Sequence, residues 1–282
     1  MPPLLYQSFW SLLGSNVTQS ILHYLNSGTL PASLCHSYIT LIQKVKKPEY
    51  VFQYRPINLS NVLYRVFSKV LANRLKKKSM PHLISEHQSA FMSDRLLLGN
   101  IMVAFETLHY MRNHRNGKFG FMALKLDMSK VYDQVEWTYM EKLMVKIGFQ
   151  DNLVKLMMEC ITTASYLVLI NGEPHGDIIP TRGLRQGDPL SPYLFLMYTK
   201  GLYGLIHKVA RMGDMWGVSI CQKGPKLTRL LFADDSLIFY KAKENECHKL
   251  LDILATYERA SGQKINREKT TLFFSKSIAS NM

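Results

Sequence analysis

Three aspartates occupy positions from which they could hold metal ions together. Asp127 ends a predicted strand, and Asp234 and Asp235 form the tip of a predicted hairpin that begins about a hundred positions later. An acid in such a place is usually a cap or a solvated turn residue. Two adjacent strands, however, can bring a strand end and a hairpin tip together. Because two Mg²⁺ ions about 3.5–4 Å apart activate the attacking and leaving oxygens of nucleotidyl transfer, the three acids predict this chemistry.

The elements expected around these acids alternate irregularly between helices and strands. Apolar residues at helical spacing predict the helices, β-branched runs predict strands, and Asn171-Gly172 predicts a hairpin turn. The predicted helices span 7–26, 63–78 (closed by Pro81), 100–113, 137–147, 190–211 and 246–261. The predicted strands span 38–45, 119–127, 166–170, 177–180, 229–232, 236–240 and 269–274. This order, with its hairpins, predicts an α+β fold rather than a doubly wound sheet.

The balance of charge points to a polyanionic partner. The 282 residues carry 35 Lys and Arg against 21 Asp and Glu, a net charge of +14, and 47% of them are hydrophobic. The apolar fraction excludes a disordered chain, and the basic excess favours nucleic acid or an acidic membrane face. Ten basic residues and one acid lie between Lys44 and Lys78. Each lysine alone is typical of a solvated helix face, whereas the cluster indicates a polyanion surface.

Cysteine usage and the amino terminus indicate an intracellular protein. The four cysteines, at positions 35, 160, 221 and 247, form no CxxC pair and fit no zinc ligand set. We therefore expect buried or half-buried thiols in a reducing compartment, the nucleus or the cytoplasm, and no secretion. Polar residues interrupt every apolar run near the start of the chain, so no membrane span and no signal peptide are predicted.

Four sequence segments follow one another in an informative order. They are LDMSKVYD at 126–133, GLRQGDPLSP at 183–192, LFADDS at 231–236 and GQKINREK at 262–269. This set resembles the reverse transcriptases of non-LTR (LINE-type) retrotransposons, most of all those of plants. The resemblance extends upstream through 39–45, 54–59 and 88–91 with Arg95, and so covers nearly the whole chain.

The resemblance implies an RNA-directed DNA polymerase domain built as the fingers and palm of a polymerase right hand. The palm would be a ferredoxin-like sheet with packed helices. A helical extension is expected at 1–37, fingers at 38–118 and palm at 119–282, with a fingers-side hairpin at about 165–182. The implied partners are an RNA template, a DNA primer and dNTPs, with no membrane.

The resemblance also assigns a metal and a nucleotide site. Asp127 and Asp234 would bind two Mg²⁺ ions, for which Mn²⁺ can substitute, with Asp235 as their accessory neighbour. Tyr132 stands where the family has an aromatic steric gate against the ribose 2′-OH, and the alternative is plain core packing.

The segment 183–192 carries further residues to which the resemblance assigns a role. Gln186 and Gly187 resemble the nucleotide-contacting pair of the family. Their neighbours Arg185 and Asp188 would bind backbone or form a loop ion pair.

Several basic residues complete the implied site. Arg95 would contact the nucleotide, since arginine offers a bidentate fork to phosphate, and Lys269 would protonate the leaving pyrophosphate or neutralise its charge. The alternatives are a structural salt bridge for the arginine and a solvated surface residue for the lysine. The expected contacts to the template come from Arg55, Arg74, Lys76 and Lys77.

Some positions depart from the family pattern. Val131 replaces a usual alanine and could overpack the nucleotide site. Ser93-Asp94 replaces Pro-Gly and puts an acid beside the finger arginine, and Lys200 and Gln134 replace a common Glu and Arg. These changes favour a decayed or truncated copy, and the alternative function is a catalytically silent RNA-binding protein. No segment resembles a thumb, an endonuclease, an RNase H domain or a zinc knuckle, so these are expected to be encoded elsewhere or lost.

Overall fold

The computed structural model of the chain describes residues 3–92, 95–114, 120–221 and 224–279. Its helices are α1 (Pro3–Ser8), α2 (Trp10–Ser27), α3 (Ala32–Cys35), α4 (Val62–Arg74), α5 (Met80–Leu83), α6 (Leu97–Asn113), α7 (Trp137–Ile147), α8 (Asp151–Thr162), α9 (Ser191–Arg211), α10 (Glu244–Ser261) and α11 (Lys276–Ala279). Its strands are β1 (His36–Gln43), β2 (Tyr54–Ser60), β3 (Phe121–Leu126), β4 (Ser165–Ile170), β5 (Glu173–Ile178), β6 (Arg229–Phe232), β7 (Asp235–Lys241) and β8 (Thr271–Phe274). The irregular order of helices, strands and hairpins confirms the α+β class.

The chain forms two compact units that interleave along the sequence. The first combines residues 1–77 with 135–195, and the second combines 78–134 with 196–282. The predicted regions 1–37, 38–118 and 119–282 follow one another without interleaving. The difference arises because residues 135–195, which were predicted as palm, belong to the first unit. Residues 78–118, which were predicted as fingers, belong to the second unit.

The first unit is built on a four-stranded sheet with the order β2-β1-β4-β5. Strand β1 is antiparallel to β2 and parallel to β4, and β4 and β5 form a hairpin. The turn of this hairpin is Asn171-Gly172, and both residues have positive φ, at 53° and 88°. Two positive φ values are the requirement of a type I′ turn, so the predicted turn is confirmed with its physical reason. The prediction of the second strand at 177–180 was wrong in its bounds, because the tight turn lets β5 begin pairing already at Glu173.

Helices bury apolar faces to form the core of the first unit. Helix α4 buries Tyr64, Phe67 and Leu71 at helical spacing. Helix α8, which the sequence analysis did not predict, buries Val154 and Met157 in the same way.

The second unit is built on an antiparallel sheet with the order β6-β7-β3-β8. In chain order its strands are β3, β6, β7 and β8, with α9 before β6 and α10 before β8. This is the β-α-β-β-α-β arrangement of a ferredoxin-like sheet, as predicted for the palm. One face of the sheet packs on α6 through a cluster that includes Met111, Ala123 and Phe239.

Pro81 begins a helix instead of closing one. Helix α4 ends at Arg74, a π-helical turn spans Leu75–Ser79, and Pro81 lies in the first turn of α5. The first residues of a helix have no intrahelical acceptor for their N–H groups, so proline fits there without loss of a hydrogen bond.

Two further predictions concern the burial of the cysteine thiols and the absence of a membrane-spanning helix. Cys35 and Cys160 are buried and Cys247 is half-buried, but Cys221 is exposed, so the expectation of four buried or half-buried thiols was wrong at that position. Among the described residues, no helix combines the length and the apolar character needed to cross a bilayer.

Candidate active site

The antiparallel pairing of β3 with β7 places the three aspartates at one end of the sheet in the second unit. Leu126 pairs with Ser236, and one further step in the same register sets Asp127 opposite Asp235. Phe232 pairs with Asp235, so Ala233 and Asp234 form a two-residue turn. Ala233 has a φ of 52°, a left-handed conformation that this tight turn requires.

The three carboxylates are close enough to influence one another. Partial burial raises the pKa of Asp234, and the negative charges of Asp235 and Asp127 raise it further. The Lys125 ammonium lies 3.6 Å from the Asp235 carboxylate. This exposed pair relieves part of the repulsion but leaves a net negative cluster at the end of the sheet.

The chemistry of this cluster fits a divalent cation. Carboxylate oxygens are the ligands that Mg²⁺ prefers, and Mg²⁺ usually takes only one or two of them together with water and substrate phosphates. Within the ranges that the structure describes, no group of three or more His, Cys, Asp and Glu side chains is arranged to hold an ion by itself.

Tyr132 lies near the acidic cluster. Burial raises the pKa of its phenol to about 12, and the charge of Asp234 acts in the same direction. The preceding residue, Val131, is buried, and its carbonyl accepts a hydrogen bond of 2.9 Å from the side-chain amide of Gln263. Tyr132 is thus held near the carboxylates within the same unit, and its role as a steric gate stays a prediction.

The fourth sequence segment, 262–269, braces the loop that carries Asp127. The Asn266 N–H donates to the Asp127 carbonyl at 2.9 Å, and the Ser129 N–H donates to the Lys264 carbonyl at 2.8 Å. The hydroxyl of Thr270 accepts from the Asp127 N–H at 3.3 Å. Lys269 is exposed in the adjoining turn, and its catalytic role stays a prediction.

Gln88 positions the turn that carries Asp234, a role that the sequence analysis did not assign. Its side chain is 1% exposed, and its side-chain oxygen accepts from the Ala233 N–H at 3.1 Å and from the Ala90 N–H at 3.0 Å. The Asn100 amide adds donations to the carbonyls of His87 and Leu231. A buried and a half-buried amide side chain therefore fix the backbone where β6 enters the hairpin turn.

Replacement of Gln88 by Leu should loosen this turn. The Ala233 N–H loses its acceptor, and a buried unpaired donor costs about 1–3 kcal/mol. We expect hydrogen exchange at the Ala233 amide to accelerate by roughly tenfold or more, as measured by NMR in the absence of metal. A matched control is Gln263→Leu, which removes an equally buried amide that does not contact the hairpin turn. Unchanged exchange at Ala233 in Gln88→Leu would contradict the positioning role.

Arg95 binds backbone carbonyls of the segment that contains Gln88. Its Nη1 donates to the carbonyls of Ser85 and Gln88 at 2.6 and 2.7 Å, and its Nη2 donates to that of Ile84 at 3.4 Å. These contacts anchor the segment 84–88, and the predicted nucleotide contact of Arg95 stays a prediction. The departures at Ser93 and Asp94 lie outside the described residues.

The first unit carries Gln186, Gly187 and Arg55. The Gln186 carbonyl accepts from the Asn58 N–H of β2 at 2.9 Å, so the loop is tied to the strand that also presents the exposed Arg55. Gly187 has a φ of 100°, and a Cβ there would lie 3.4 Å from the Asn58 carbonyl oxygen. The positive φ favours glycine at this position, and the Asn58 carbonyl lies just at van der Waals distance from where a Cβ would be.

Tyr64 links the two charged residues that flank this pair. The Arg185 guanidinium lies over its ring, 4.3 Å from the centroid, and the Tyr64 hydroxyl donates to Asp188 at 2.6 Å. Asp188 also accepts from the Leu190 N–H, and Arg185 donates to the Cys35 carbonyl. Among the described residues no ion pair within 4 Å joins the two charges, so both bind backbone and share a buried tyrosine.

Comparison with protein families settles the membership of the chain. Residues 45–279 match the family model described as reverse transcriptase (RNA-dependent DNA polymerase). The chain belongs to the reverse transcriptase family. This match covers all four ordered segments and the acidic cluster that they build.

The curated relatives of this reverse transcriptase include proteins of non-LTR elements. It is 24% identical over 271 residues to the "Transposon TX1 uncharacterized 149 kDa protein" of Xenopus laevis, which covers 94% of this chain and 20% of the relative. It is 24% identical over 252 residues to a Pol polyprotein from the R2 element of Popillia japonica, covering 88% of this chain and 33% of that protein. An uncharacterized mitochondrial protein of Arabidopsis thaliana is 49% identical over 70 residues, covering 25% of this chain and 57% of that protein.

Solved structures support the fold. Telomerase from Candida tropicalis, in a complex with a fragment of telomeric RNA, superimposes with a TM-score of 0.57 and 14% identity, covering 96% of this chain and 45% of that one. The apo form of that telomerase, truncated from its C-terminal domain, gives a TM-score of 0.55 with 16% identity over 95% of this chain and 56% of that one. The chain thus has the fingers and palm fold. It spans 45% and 56% of these two solved chains, and 20% and 33% of the Xenopus and Popillia relatives.

Proposed function

We propose that this domain is an RNA-directed DNA polymerase of a non-LTR retrotransposon. In the proposed reaction the 3′-OH of a primer attacks the α-phosphate of a dNTP on an RNA template and pyrophosphate leaves. The observation that carries the proposal is the meeting of Asp127, Asp234 and Asp235 at one end of the sheet, with their charges coupled. Membership of the reverse transcriptase family supports the same chemistry.

The proposed cofactor is a pair of Mg²⁺ ions, which Mn²⁺ can replace. Reverse transcriptases use divalent metal ions, and oxygen ligands from Asp127 and Asp234 would hold them here. When bound, such ions supply Lewis-acid activation and neutralise developing charge. The chain itself supplies position: Gln88 and the segment 262–270 hold the backbone on both sides of the carboxylates. Because phosphoryl transfer requires little covalent chemistry from the protein, placement and electrostatics are the main contributions expected of the chain.

The proposed template surface is the basic segment of the first unit. Arg74 and Lys77 are exposed and Lys76 is half-buried, at the end of α4 and in the π-helical turn that follows it. Within the described ranges, none of the ion pairs involves a residue between Lys44 and Lys78. These cations are therefore available to phosphates, whose neutralisation releases counterions and drives binding.

Primer extension tests the proposal directly. With poly(A), oligo(dT), labelled dTTP and Mg²⁺ or Mn²⁺, we expect the domain to extend the primer, and we expect chelation or Asp127→Asn to abolish the product. Asp252→Asn, a change of an exposed acid on α10 of the same unit, is the matched control and should retain activity. If the wild type incorporates no more dTTP than Asp127→Asn does, the proposal fails.

The second candidate is RNA binding without catalysis, and the exposed basic segment favours it. It expects RNA binding that weakens steeply with salt and is insensitive to Asp127→Asn, together with no primer extension. If the wild-type domain does not bind RNA even at low salt, this candidate function is excluded.

Tyr132 provides a test of the steric gate. In Tyr132→Ala the ring that would clash with a 2′-OH is gone, so the preference for dTTP over UTP should fall by roughly ten- to a hundredfold. Steady-state kcat/KM for each nucleotide measures this ratio, and Tyr132→Phe, which keeps the ring, should preserve it. An unchanged ratio in Tyr132→Ala would assign the side chain to core packing alone.

A further inference from the structure

A cavity of about 400 Å³ lies beside β6 in the second unit. Its walls are the segment 81–88, one face of α9 and the first residues of β6. None of the three aspartates of the candidate active site lines it. Its volume falls within the range of about 300–1,000 Å³ that small-molecule sites occupy.

A buried cation without a carboxylate partner lines this cavity. Arg229 is 6% exposed, and its Nε makes no hydrogen bond within the described residues. Its one recorded side-chain hydrogen bond, from Nη1 to the Thr228 hydroxyl, is long at 3.5 Å. No carboxylate of the described ranges lies within 4 Å of it. Burial of an unpaired guanidinium is unfavourable because the charge loses its hydration. An anion that binds beside Arg229 would therefore stabilise it by pairing with the charge.

Helix α9 adds two more basic side chains to the cavity wall. Lys200, Tyr203 and His207 recur at helical spacing on one face. The Tyr203 hydroxyl is already bonded to the Ser236 hydroxyl at 2.7 Å, which leaves the lysine and the histidine as the groups that can meet an anion. Glu86 is the one acid in the lining, and it is exposed.

Much of the remaining lining is apolar, although His82, Ser85, Gln88 and Thr199 also contribute to it. Leu83, Ile84, Leu196 and Leu231 contribute side chains to the wall. A free inorganic anion would use none of this surface. The combination of an apolar wall with three basic groups fits an organic anion with an apolar body.

A second cavity of about 410 Å³ shares Arg229, His207, Ser85 and the exposed Glu86 with the first. Its lining adds Arg211 and Lys226. Arg229 therefore lies where two basic cavities meet, so an anion that pairs with it is surrounded by further positive charge.

We propose that this cavity binds a small phosphate monoester with an apolar or aromatic body. The phosphate would accept hydrogen bonds from Arg229, Lys200 and His207, because a guanidinium, an ammonium and an imidazole N–H together offer a dianion more donors than a single carboxylate can use. The body would pack on the leucine and isoleucine side chains. The site is separate from the proposed polymerase activity and does not depend on it.

Isothermal titration of the whole chain with phenyl phosphate tests the site. We expect saturable 1:1 binding, at least about tenfold tighter than that of inorganic phosphate or benzoate. No saturable binding up to about 10 mM would overturn the proposal. If inorganic phosphate binds as tightly as phenyl phosphate, the phenyl ring makes no favourable apolar contact and the proposal is wrong. If benzoate binds as tightly as phenyl phosphate, the site has no preference for phosphate and the proposal is also wrong.

Two variants locate the binding. His207→Glu changes an exposed side chain and places a like charge beside the anion, and Arg229→Met removes the buried cation. Each should weaken binding of phenyl phosphate by about tenfold or more. The control is Lys208→Glu, which makes a similar change of charge at the next position of α9. Asp234→Asn should bind as the wild type does, which separates this site from the polymerase proposal. Undiminished binding in His207→Glu would overturn the assignment even if Arg229→Met fails to fold.

Discussion

Asp234→Asn is expected to reduce nucleotide incorporation by about a hundred- to a thousandfold and, in the absence of metal, to raise the melting temperature slightly. The loss of activity follows because the carboxylate that would hold a metal beside the reacting phosphate becomes a neutral amide. The gain in stability follows because partial burial and the charges of Asp235 and Asp127 raise the pKa of Asp234. The folded chain therefore disfavours the ionised form of this side chain.

The sign of this stability effect depends on pH. Because the folded pKa of Asp234 lies above the unfolded value, its favourable contribution is complete below the unfolded pKa and is lost as pH rises through the folded pKa. Asparagine should therefore stabilise the protein at neutral pH and not below about pH 4. Solvent screens this exposed carboxylate, so the rise should not exceed about 2 °C.

Thermal unfolding in EDTA at the two pH values, beside primer extension in Mg²⁺, measures both effects. Asp252→Asn again serves as the control and should change neither quantity. A lower melting temperature for Asp234→Asn at neutral pH would show that the carboxylate stabilises the turn. Full activity in this variant would remove Asp234 from the metal site.

Local sequence patterns were sufficient where one element decides its own conformation. Asn171-Gly172 predicted a hairpin because its two residues tolerate positive φ. The alternation of helices and hairpins predicted the α+β class, whereas the ferredoxin-like sheet was implied only by the resemblance to the family. Pro81 was misread because a proline that ends one helix and a proline that begins the next look alike in sequence.

Contacts between distant segments were beyond such patterns. The role of Gln88 depends on the Ala233 N–H, which lies 145 positions later, and no spacing rule relates the two. The same is true of Tyr64, which stands between Arg185 and Asp188 only because α4 packs beneath their loop. Sequence analysis could thus name candidate site residues but not the side chains that hold them in place.

Asp188→Ala is expected to destabilise the first unit by about 3–5 kcal/mol. Asp188 is 4% exposed, and its carboxylate accepts from the Tyr64 hydroxyl and from the Leu190 N–H just before α9. Alanine leaves the Leu190 N–H without that acceptor, and an unpaired buried donor costs about 1–3 kcal/mol. The Tyr64 hydroxyl loses its shorter hydrogen bond and keeps only the Cys160 carbonyl, at 3.2 Å. It also leaves Arg185, which is 3% exposed, without the nearby negative charge.

Urea denaturation followed by a probe in the first unit measures this loss, and Asp188→Asn separates its two causes. Asparagine keeps an acceptor for the Leu190 N–H but removes the charge, so it should cost less than alanine does. Asp177→Ala, a change of an exposed acid on β5 of the same unit, should stay within about 0.5 kcal/mol of the wild type. If Asp188→Ala is as harmless as Asp177→Ala, the buried Tyr64 network does not stabilise the loop that carries Gln186 and Gly187. If Asp188→Ala lowers the free energy of unfolding by the expected amount, the structural role of Asp188 is enough to explain its presence in this loop, and no contact with a nucleotide is needed.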